Sequence, residues 1–183
     1  MDLPTLGTLR TEPVDTRTDL LAEPVRAVLS GWPYAAQVGV AEIDPDLADT
    51  AACSEAYQVP LEAGANCVVV AGRRDREERV AACVVRADTR ADVNNLVKRL
   101  LDVRKCSFLS MERAVEESGM EYGGITPVGL PGHWRLLVDA RAAQLDVALI
   151  GSGVRRSKLL VPGPLLAELP RAEVVEGLAG PSS

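Results

Sequence analysis

The segment of this chain best suited to hold a small ligand is the run Gly-Gly-Ile-Thr-Pro-Val-Gly-Leu-Pro at residues 123–131. Three glycines and two prolines in nine residues exclude a helix interior or a central strand. Glycine lets backbone amides come close to a ligand, and proline fixes the path of the chain. Because no charged side chain interrupts the run, it predicts a loop that binds a ligand with main-chain dipoles. An ordinary Gly/Pro turn is the alternative.

A second glycine-rich segment, Gly151-Ser152-Gly153, follows an apolar strand pattern and precedes Arg155, Arg156 and Lys158. The third glycine of a dinucleotide-binding G-x-G-x-x-G motif would fall at position 156, where this chain has an arginine, so that motif is excluded. The three basic residues have no acidic neighbour between them. They could contact a phosphate backbone, or they could be ordinary surface charges.

The residue types that could serve as nucleophiles or metal ligands give weaker signals than the two glycine-rich segments. Cys53, Cys67, Cys83 and Cys106 show no CxxC spacing, and buried free thiols are the expected state. The single histidine, His133, could be a base or a hydrogen-bonded surface residue, and a Cys67–His133 pair has no local signal. We expect neither a metal site nor any other cofactor.

The elements that must position these segments alternate irregularly between strands and helices. Apolar runs and alternation predict strands at 37–43, 67–71, 79–86, 135–139, 146–150, 158–161 and 173–176. Caps and apolar spacing predict helices from Thr16 or Thr18 to Ser30 with a break at Pro24, from Asp44 to Tyr57, from Asp88 or Thr89 to Leu101, from Ser110 to Ser118, and one or two turns at 164–170. The turn between the second and third strands is short, which predicts an antiparallel hairpin. The fold class expected is mixed α/β with α+β character.

Length and composition limit the number of domains, the kind of core, the location and the partners that the chain can have. A chain of 183 residues predicts a single domain, with a core over about 16–177, a short N-terminal extension and a frayed tail at 178–183. Hydrophobic residues make up 47% and aromatic residues 3%, so the core must be aliphatic. No apolar run is long enough to span a membrane, and the N-terminus lacks a secretory pattern, so we expect a cytoplasmic protein. A net charge of −6 argues against a general nucleic-acid coat and against DNA as a partner.

The order of these segments resembles the YbaK/prolyl-tRNA-editing domain family, the INS-like aminoacyl-tRNA deacylases. The resemblance covers about residues 16–177, and its most specific piece is a G-x-x-x-P loop, matched by Gly123 and Pro127. The strand that ends in Ile150 and leads into Gly151-Ser152-Gly153 is the second piece. The helix that ends at Leu101, followed by Arg104-Lys105 and a short helix from about Met111, is the third.

This resemblance implies the editing-domain fold, with a mostly antiparallel, partly barrel-like sheet and flanking helices. It implies a free-standing, trans-editing hydrolase that preserves translation fidelity by cleaving the ester of a mischarged tRNA with water. The implied partner is the 3′ acceptor end of an aminoacyl-tRNA, and an aminoacyl-tRNA synthetase is a further candidate. No metal or cofactor is required. The scarcity of aromatics favours a small pocket and a small amino acid such as Ala, Ser or Thr.

The resemblance also implies roles for individual residues. The catalytic set would be Asn66, Gly123, Gly124 and Pro127. The aminoacyl group and terminal adenosine would be bound by Ile125, Thr126, Asp139, Gly151, Ser152 and Gly153, with Asp139 holding the ammonium group or serving as a buried structural carboxylate. The tRNA phosphates would be contacted by Arg104, Lys105, Arg155, Arg156 and Lys158.

One position departs from the family pattern. Many members carry a lysine at the start of the first central strand, where this chain has Asn66, or Ala65 if the register slips by one. Asparagine can donate and accept hydrogen bonds but supplies no charge. Either another cation, Arg155 or Lys158, takes over, or the activity is altered, or the protein binds without hydrolysing. A binding module without catalysis is therefore the alternative function, and hydrolysis of a non-tRNA aminoacyl ester or thioester is a third.

Overall fold

The computed structural model describes residues 2–182 as three β-sheets flanked by short helices. The strands are β1 Thr11–Pro13, β2 Gly39–Glu42, β3 Ala65–Arg74, β4 Glu77–Arg86, β5 Thr89–Ala91, β6 Cys106–Phe108, β7 Arg135–Asp139, β8 Ala148–Gly151, β9 Ser157–Val161, β10 Ala172–Val175 and β11 Ala179–Pro181. The α-helices are α1 Glu23–Leu29, α2 Thr50–Ala56, α3 Lys98–Leu100 and α4 Met111–Ser118, and a π-helical turn, Val93–Val97, leads into α3. Short 3-10 segments lie at Thr18–Leu20, Ala35–Gln37, Pro45–Leu47, Leu61–Ala63 and Gly163–Leu166. The expected mixed α/β class is confirmed.

The centre of the fold is the predicted hairpin of β3 and β4. The two strands pair antiparallel over ten residues each, from Ala65 opposite Arg86 to Arg74 opposite Glu77. Alternate residues of β3 belong to two different apolar clusters, with Val69 in one and Val70 in the other. Burial on both faces explains why this strand reads as a continuous apolar run rather than an alternation.

The strands form two larger sheets and one small one. Their orders are β10-β7-β4-β3-β6, β1-β2-β9-β8 and β11-β5. Strand β7 runs parallel to β4 and to β10, and the other pairings are antiparallel. The two larger sheets are joined by one parallel bridge between Gly64 and Leu149, which places the start of β3 beside β8. We call this junction the sheet seam. Among the described residues the sheets do not close into a barrel.

Two of the predicted helices differ in outcome. Helix α4 begins where Ser110 accepts a hydrogen bond from the N–H of Arg113 and ends at Gly119, whose φ is +69°, as predicted. The predicted continuous helix over 44–57 is wrong, because Asp44 and Asp49 each cap a separate short segment. The chain therefore turns at Asp49, which becomes important for the site.

The stretch from Asp88 to Leu101 and the C-terminal tail correct two further predictions together. Residues Thr89–Ala91 are not the start of a helix but strand β5, which pairs with β11 at Ala179–Pro181. Helical structure begins only at Asp92, whose carboxylate accepts from the N–H groups of Asn95 and Leu96. The prediction of a frayed tail is wrong for residues 178–181. Leu178 is fully buried, and strand β11 follows it directly.

The N-terminal extension likewise joins the fold. Strand β1 pairs with β2, and the side chains of Leu9 and Val14 on either side of it are buried. None of the helices in the described part of the chain has the length and apolar character that a membrane span requires.

Candidate functional site

A cavity of about 360 Å³ opens at the sheet seam. It lies where the first residues of β3, the end of β8, the turn before α2 and the glycine loop before β7 come together. Its lining residues are Ala48, Asp49, Thr50, Cys53, Gly64, Ala65, Asn66, Cys67, Val68, Met111, Tyr122, Gly123, Ile125, Leu149, Ile150, Gly151 and Lys158. Within residues 2–182, no group of three His, Cys, Asp or Glu side chains is arranged to hold a metal ion.

Asn66 lies in this lining, at the second position of β3. The hydroxyl of Thr50, in the first turn of α2, donates to the Asn66 side-chain oxygen at 2.8 Å. Among residues 2–182 the Asn66 NH₂ group donates to no protein acceptor, so its two N–H donors are left for a ligand. Thr50 thus orients Asn66 as a hydrogen-bond donor.

Lys158 is the cation in the lining and is only 8% exposed. It stands opposite Gly151 and Ala41, on an inner strand whose five residues are all buried. Its ammonium donates to the carbonyl oxygen of Ala48 at 2.8 Å. Burial lowers the pKa of Lys158, because desolvation disfavours the ammonium, while nearby Cys53 and Asp49 act in the opposite direction. An ammonium has three N–H donors, so two remain for a bound group.

The two glycine-rich segments pack directly on one another. The N–H of Gly153 donates to the carbonyl of Gly124 at 2.7 Å, and the N–H of Glu121 donates to the carbonyl of Gly153 at 2.8 Å. A Cβ on Gly124 would lie 2.8 Å from the backbone of Val154, and one on Gly151 would lie 2.5 Å from the Gly124 carbonyl. These glycines are therefore required for the approach of two backbone segments, rather than for the approach of a ligand as the sequence suggested.

Two residues of the same loop do face the cavity. Gly123, with a φ of +77°, and Ile125 both belong to the lining. Among residues 2–182, no protein acceptor receives the main-chain N–H of Gly123 or of Ile125. Both N–H groups are thus available to a ligand.

Arg155 lies beside the cavity, against Tyr122 and Gly123 of its lining. Its guanidinium donates to the carbonyls of Tyr122 at 3.1 Å and Pro45 at 2.9 Å. Within the described chain no carboxylate lies within ion-pair distance of it. Carbonyl dipoles fix its position without cancelling its charge.

The four cysteines are free, and Cys53 and Cys67 line the cavity. Burial raises the pKa of both thiols, since desolvation penalises a thiolate. Burial also raises the pKa of Cys83 to about 12. The cavity cysteines are consequently neutral thiols at neutral pH and resemble small apolar side chains in their packing.

Several predicted site residues lie outside the lining. Gly124, Thr126 and Pro127 are buried behind Gly123 and Ile125. Ser152 is buried, with its hydroxyl 2.7 Å from that of Ser157, and Gly153 packs against Ala22. These residues pack under the loops that line the cavity and do not face it themselves.

Asp139 is placed away from the cavity. It is 1% exposed and accepts hydrogen bonds from the N–H groups of Arg141 and Ala179, each at 2.8 Å. Its strand, β7, is separated from β3 by β4, which puts it about 10 Å from Asn66 across the sheet. In this position the Asp139 carboxylate ties β11 to the end of β7. Asp49 is the acidic residue that lines the cavity.

The remaining predicted cations are spread over the surface. Arg104 and Lys105 are exposed and adjoin β6, which pairs with β3 around Gly72, about 20 Å along the strand from Asn66. Arg156 is exposed and donates to the carbonyl of Asp19. His133 is exposed beside Glu78 and Arg135 at the same distant end. The predicted set therefore comes together around Asn66, Gly123, Ile125, Gly151, Arg155 and Lys158 only.

Sequence reasoning missed Thr50, Asp49 and Tyr122. The signal for the first two was present as an Asp-Thr pair before an alanine-rich run, a capping pattern hidden inside the supposed continuous helix. Nothing local pointed to Tyr122, whose importance comes from the position of the loop. Taken together, the cavity presents an amide donor, an ammonium and two main-chain N–H groups, a set that can polarise a carbonyl and stabilise a developing oxyanion.

Comparisons with known proteins give the family and the fold of this chain. The sequence model of a family described as "Aminoacyl-tRNA editing domain" matches residues 44–169. A solved structure of a proposed trans-editing enzyme for prolyl tRNA synthetase superposes with a TM-score of 0.71 at 18% identity, covering 85% of this chain and 94% of that one. The hypothetical protein APE2540 superposes with a TM-score of 0.75 at 20% identity, covering 86% of this chain and all of that one, 100%. At these identities the structures show the shared fold. A search of curated proteins finds no match.

Proposed function

Because the chain belongs to the aminoacyl-tRNA editing domain family, we propose that it is a free-standing deacylase that hydrolyses the ester between a wrong amino acid and the 3′-terminal adenosine of a tRNA. The observation that carries the proposal is the meeting of Asn66, Lys158 and the glycine loop around one cavity. All of them offer donors, and the ester carbonyl is the acceptor that this set fits. A cytoplasmic location is part of the proposal, since charged tRNA is found there.

In this proposal water attacks the ester carbonyl carbon. The carbonyl oxygen becomes an oxyanion, which the Asn66 amide, the Lys158 ammonium and the N–H groups of Gly123 and Ile125 stabilise. The C–O bond to the ribose then breaks, and the ribose oxygen takes up the proton that the water loses. The adjacent ribose hydroxyl of the tRNA assists the water. The products are a free amino acid and an uncharged tRNA.

The cavity also supports a choice of amino acid. Part of its wall is apolar or thiol-bearing and is formed by Cys53, Cys67, Val68 and Ile150. Asp49, whose carboxylate accepts from the N–H of Ala51 at 3.0 Å, retains a second oxygen for the substrate ammonium. We therefore propose that small aminoacyl groups such as alanyl, seryl or threonyl are preferred.

Lys158 supplies the positive charge that Asn66 lacks. It approaches the cavity from β9, whereas Asn66 approaches from β3, so the two side chains face the ligand from different sheets. Lys158 is buried, and a buried cation interacts more strongly with an oxyanion than the same cation in water. This favours the catalytic function over binding alone.

The test is release of labelled amino acid from a panel of mischarged tRNAs. Wild-type protein should release the amino acid from at least one of them well above the buffer rate. Asn66→Ala should lower kcat by about 100-fold through loss of an oxyanion donor. Saturable binding without release would instead identify a non-catalytic binding module. Hydrolysis of small aminoacyl esters or thioesters while charged tRNA is ignored would identify a different substrate class.

Thr50 provides a sharper control, because it acts through Asn66 as a positioning residue. Thr50→Val removes the hydroxyl that orients the amide and should lower kcat by about 10-fold with little change in KM. Thr50→Ser keeps the hydroxyl and should restore most of the rate. Equal activity of the valine and serine variants would contradict this positioning role.

A further inference from the structure

Tyr122 is an exposed aromatic side chain at the mouth of the cavity. It is 58% exposed and belongs to the lining, immediately before Gly123. Aromatic residues are only 3% of the chain, and both tryptophans, Trp32 and Trp134, are buried. Among residues 2–182, Phe108 is the other large aromatic residue that is exposed to this degree, and it lies outside the lining of this cavity. An exposed ring at this place therefore needs a reason other than core packing.

The Tyr122 ring is held by Arg155. The guanidinium carbon lies 5.5 Å from the ring centroid, within the range of a cation–π contact. The same guanidinium is fixed by the carbonyls of Tyr122 and Pro45, and the main-chain N–H of Arg155 donates to a Glu121 carboxylate oxygen at 2.7 Å. Four contacts thus set Arg155 against the ring.

Gly123 makes this arrangement possible. A Cβ at Gly123 would lie 2.6 Å from a terminal nitrogen of Arg155, and the φ of +77° disfavours any side chain there. The glycine therefore leaves the space through which the guanidinium reaches the Tyr122 ring. The ring is consequently preorganised, with one side backed by a cation and with 58% of the residue exposed to solvent.

We propose that the open face of Tyr122 stacks on an unpaired base at the 3′ end of the charged tRNA, next to the aminoacyl group in the cavity. The inference rests on the proposed function and adds to it a residue that binds the nucleic acid. Stacking on an aromatic ring tolerates any base and needs no base-edge hydrogen bonds, and Arg155 adds a charge that the phosphates attract. Arg104 and Lys105 lie near Gly72, about 20 Å along β3 from Asn66, which is too far for them to contact the terminal base.

The experiment measures binding of a labelled RNA tetranucleotide ending in CCA, whose 3′ end carries alanine through a non-hydrolysable amide. Fluorescence anisotropy gives Kd for wild type, Tyr122→Ala, Tyr122→Leu and Tyr122→Phe. Because one base stack is lost, Tyr122→Ala should raise Kd about 10-fold, Tyr122→Leu nearly as much, and Tyr122→Phe less than about 2-fold. Phe108→Ala, which removes an equally exposed ring away from the cavity, is the matched control and should leave Kd unchanged.

A second probe separates stacking from a merely structural role. If the terminal base is replaced by an abasic ribose, wild type should bind about 10-fold more weakly, and Tyr122→Ala should cause no further loss. Additive losses, or an unchanged Kd for Tyr122→Ala on the intact probe, overturn the base-stacking inference while deacylation by wild type still stands. Failure of wild-type protein both to bind this probe and to release amino acid from charged tRNA overturns the proposed function as well.

Discussion

The two ends of β3 both carry positive charge, but the charges are held in different ways. At the hairpin tip, Arg74 and Arg79 pair with Asp102, and Arg113 pairs with Glu78. At the seam, Arg155 and Lys158 are held by main-chain carbonyls. A carboxylate partner cancels a charge, whereas a carbonyl dipole fixes its position and leaves the charge in place.

This difference matters in a chain whose net charge is −6. An anionic ligand is repelled by most of the surface and attracted where a cation lacks a carboxylate partner. The paired arginines at the tip fasten the loops around the hairpin, and the exposed Arg104 and Lys105 near them are screened by solvent. At the seam Lys158 is buried and both cations are held by carbonyls, so they remain able to meet an oxyanion or a phosphate. The following predictions test that division, beginning with the largest effect.

Lys158→Met should lower kcat/KM for deacylation by about 100-fold or more, because a cation in a buried site is lost where charge develops. Steady-state release of labelled amino acid measures it. The matched control is Lys98→Met, the same substitution on α3 near the tip, which should change kcat/KM by less than about 3-fold. Equal kcat/KM values for the two variants would contradict the proposed difference between the seam and the tip.

Asp139→Ala should lower the free energy of unfolding by about 3 kcal/mol, since it leaves the part-buried N–H of Arg141 and the buried N–H of Ala179 without their acceptor. Urea denaturation followed by circular dichroism measures it. The folded fraction should retain deacylase activity per molecule. A loss of activity without a loss of stability would instead support Asp139 as a ligand of the substrate ammonium group.

Lys158 should oppose folding in a pH-dependent way. Burial lowers its pKa below the ordinary value of 10.5, so between the two values the unfolded chain binds more protons than the folded one. The free energy of unfolding should therefore rise as the pH increases through that interval toward 10.5. Below the interval, where Lys158 is charged in both states, its destabilising effect should be fully present. Lys158→Met should remove this slope and raise the free energy of unfolding at neutral pH, even though it lowers kcat/KM. Denaturation at several pH values checks the sign, and a less stable methionine variant would contradict it.

Glu78→Gln at the tip should have the smallest effect. The Arg113 guanidinium lowers the pKa of Glu78, so this pair contributes stability above the ordinary glutamate value of 4.5 that is lost as the pH falls below it. Because both side chains are partly exposed, Tm should fall by no more than about 2 °C at neutral pH, and deacylation should be unchanged. A measurable loss of activity would mean that the tip takes part in substrate binding after all.

Local patterns predicted much of the fold. The β3–β4 hairpin, β7 at Arg135–Asp139 and α4 with its Ser110 cap and Gly119 stop follow from alternation, apolar runs and capping, which involve residues close in sequence. The predictions failed where distant residues decided the outcome. Thr89–Ala91 became a strand because the C-terminal tail pairs with it. The break at Asp49 is different, because its cause is a second local cap that the sequence contained and the predicted helix over 44–57 passed over.

By itself the sequence determined the order of elements, the glycine and proline loop at 123–131 and the absence of a lysine at Asn66. Only the tertiary structure decided that Lys158 is buried in the cavity and that Thr50 turns Asn66 into a donor. The physical reason is that a cavity at a sheet seam depends on the Gly64–Leu149 bridge, which joins strands 85 residues apart, and no pattern of neighbouring residues encodes such a contact.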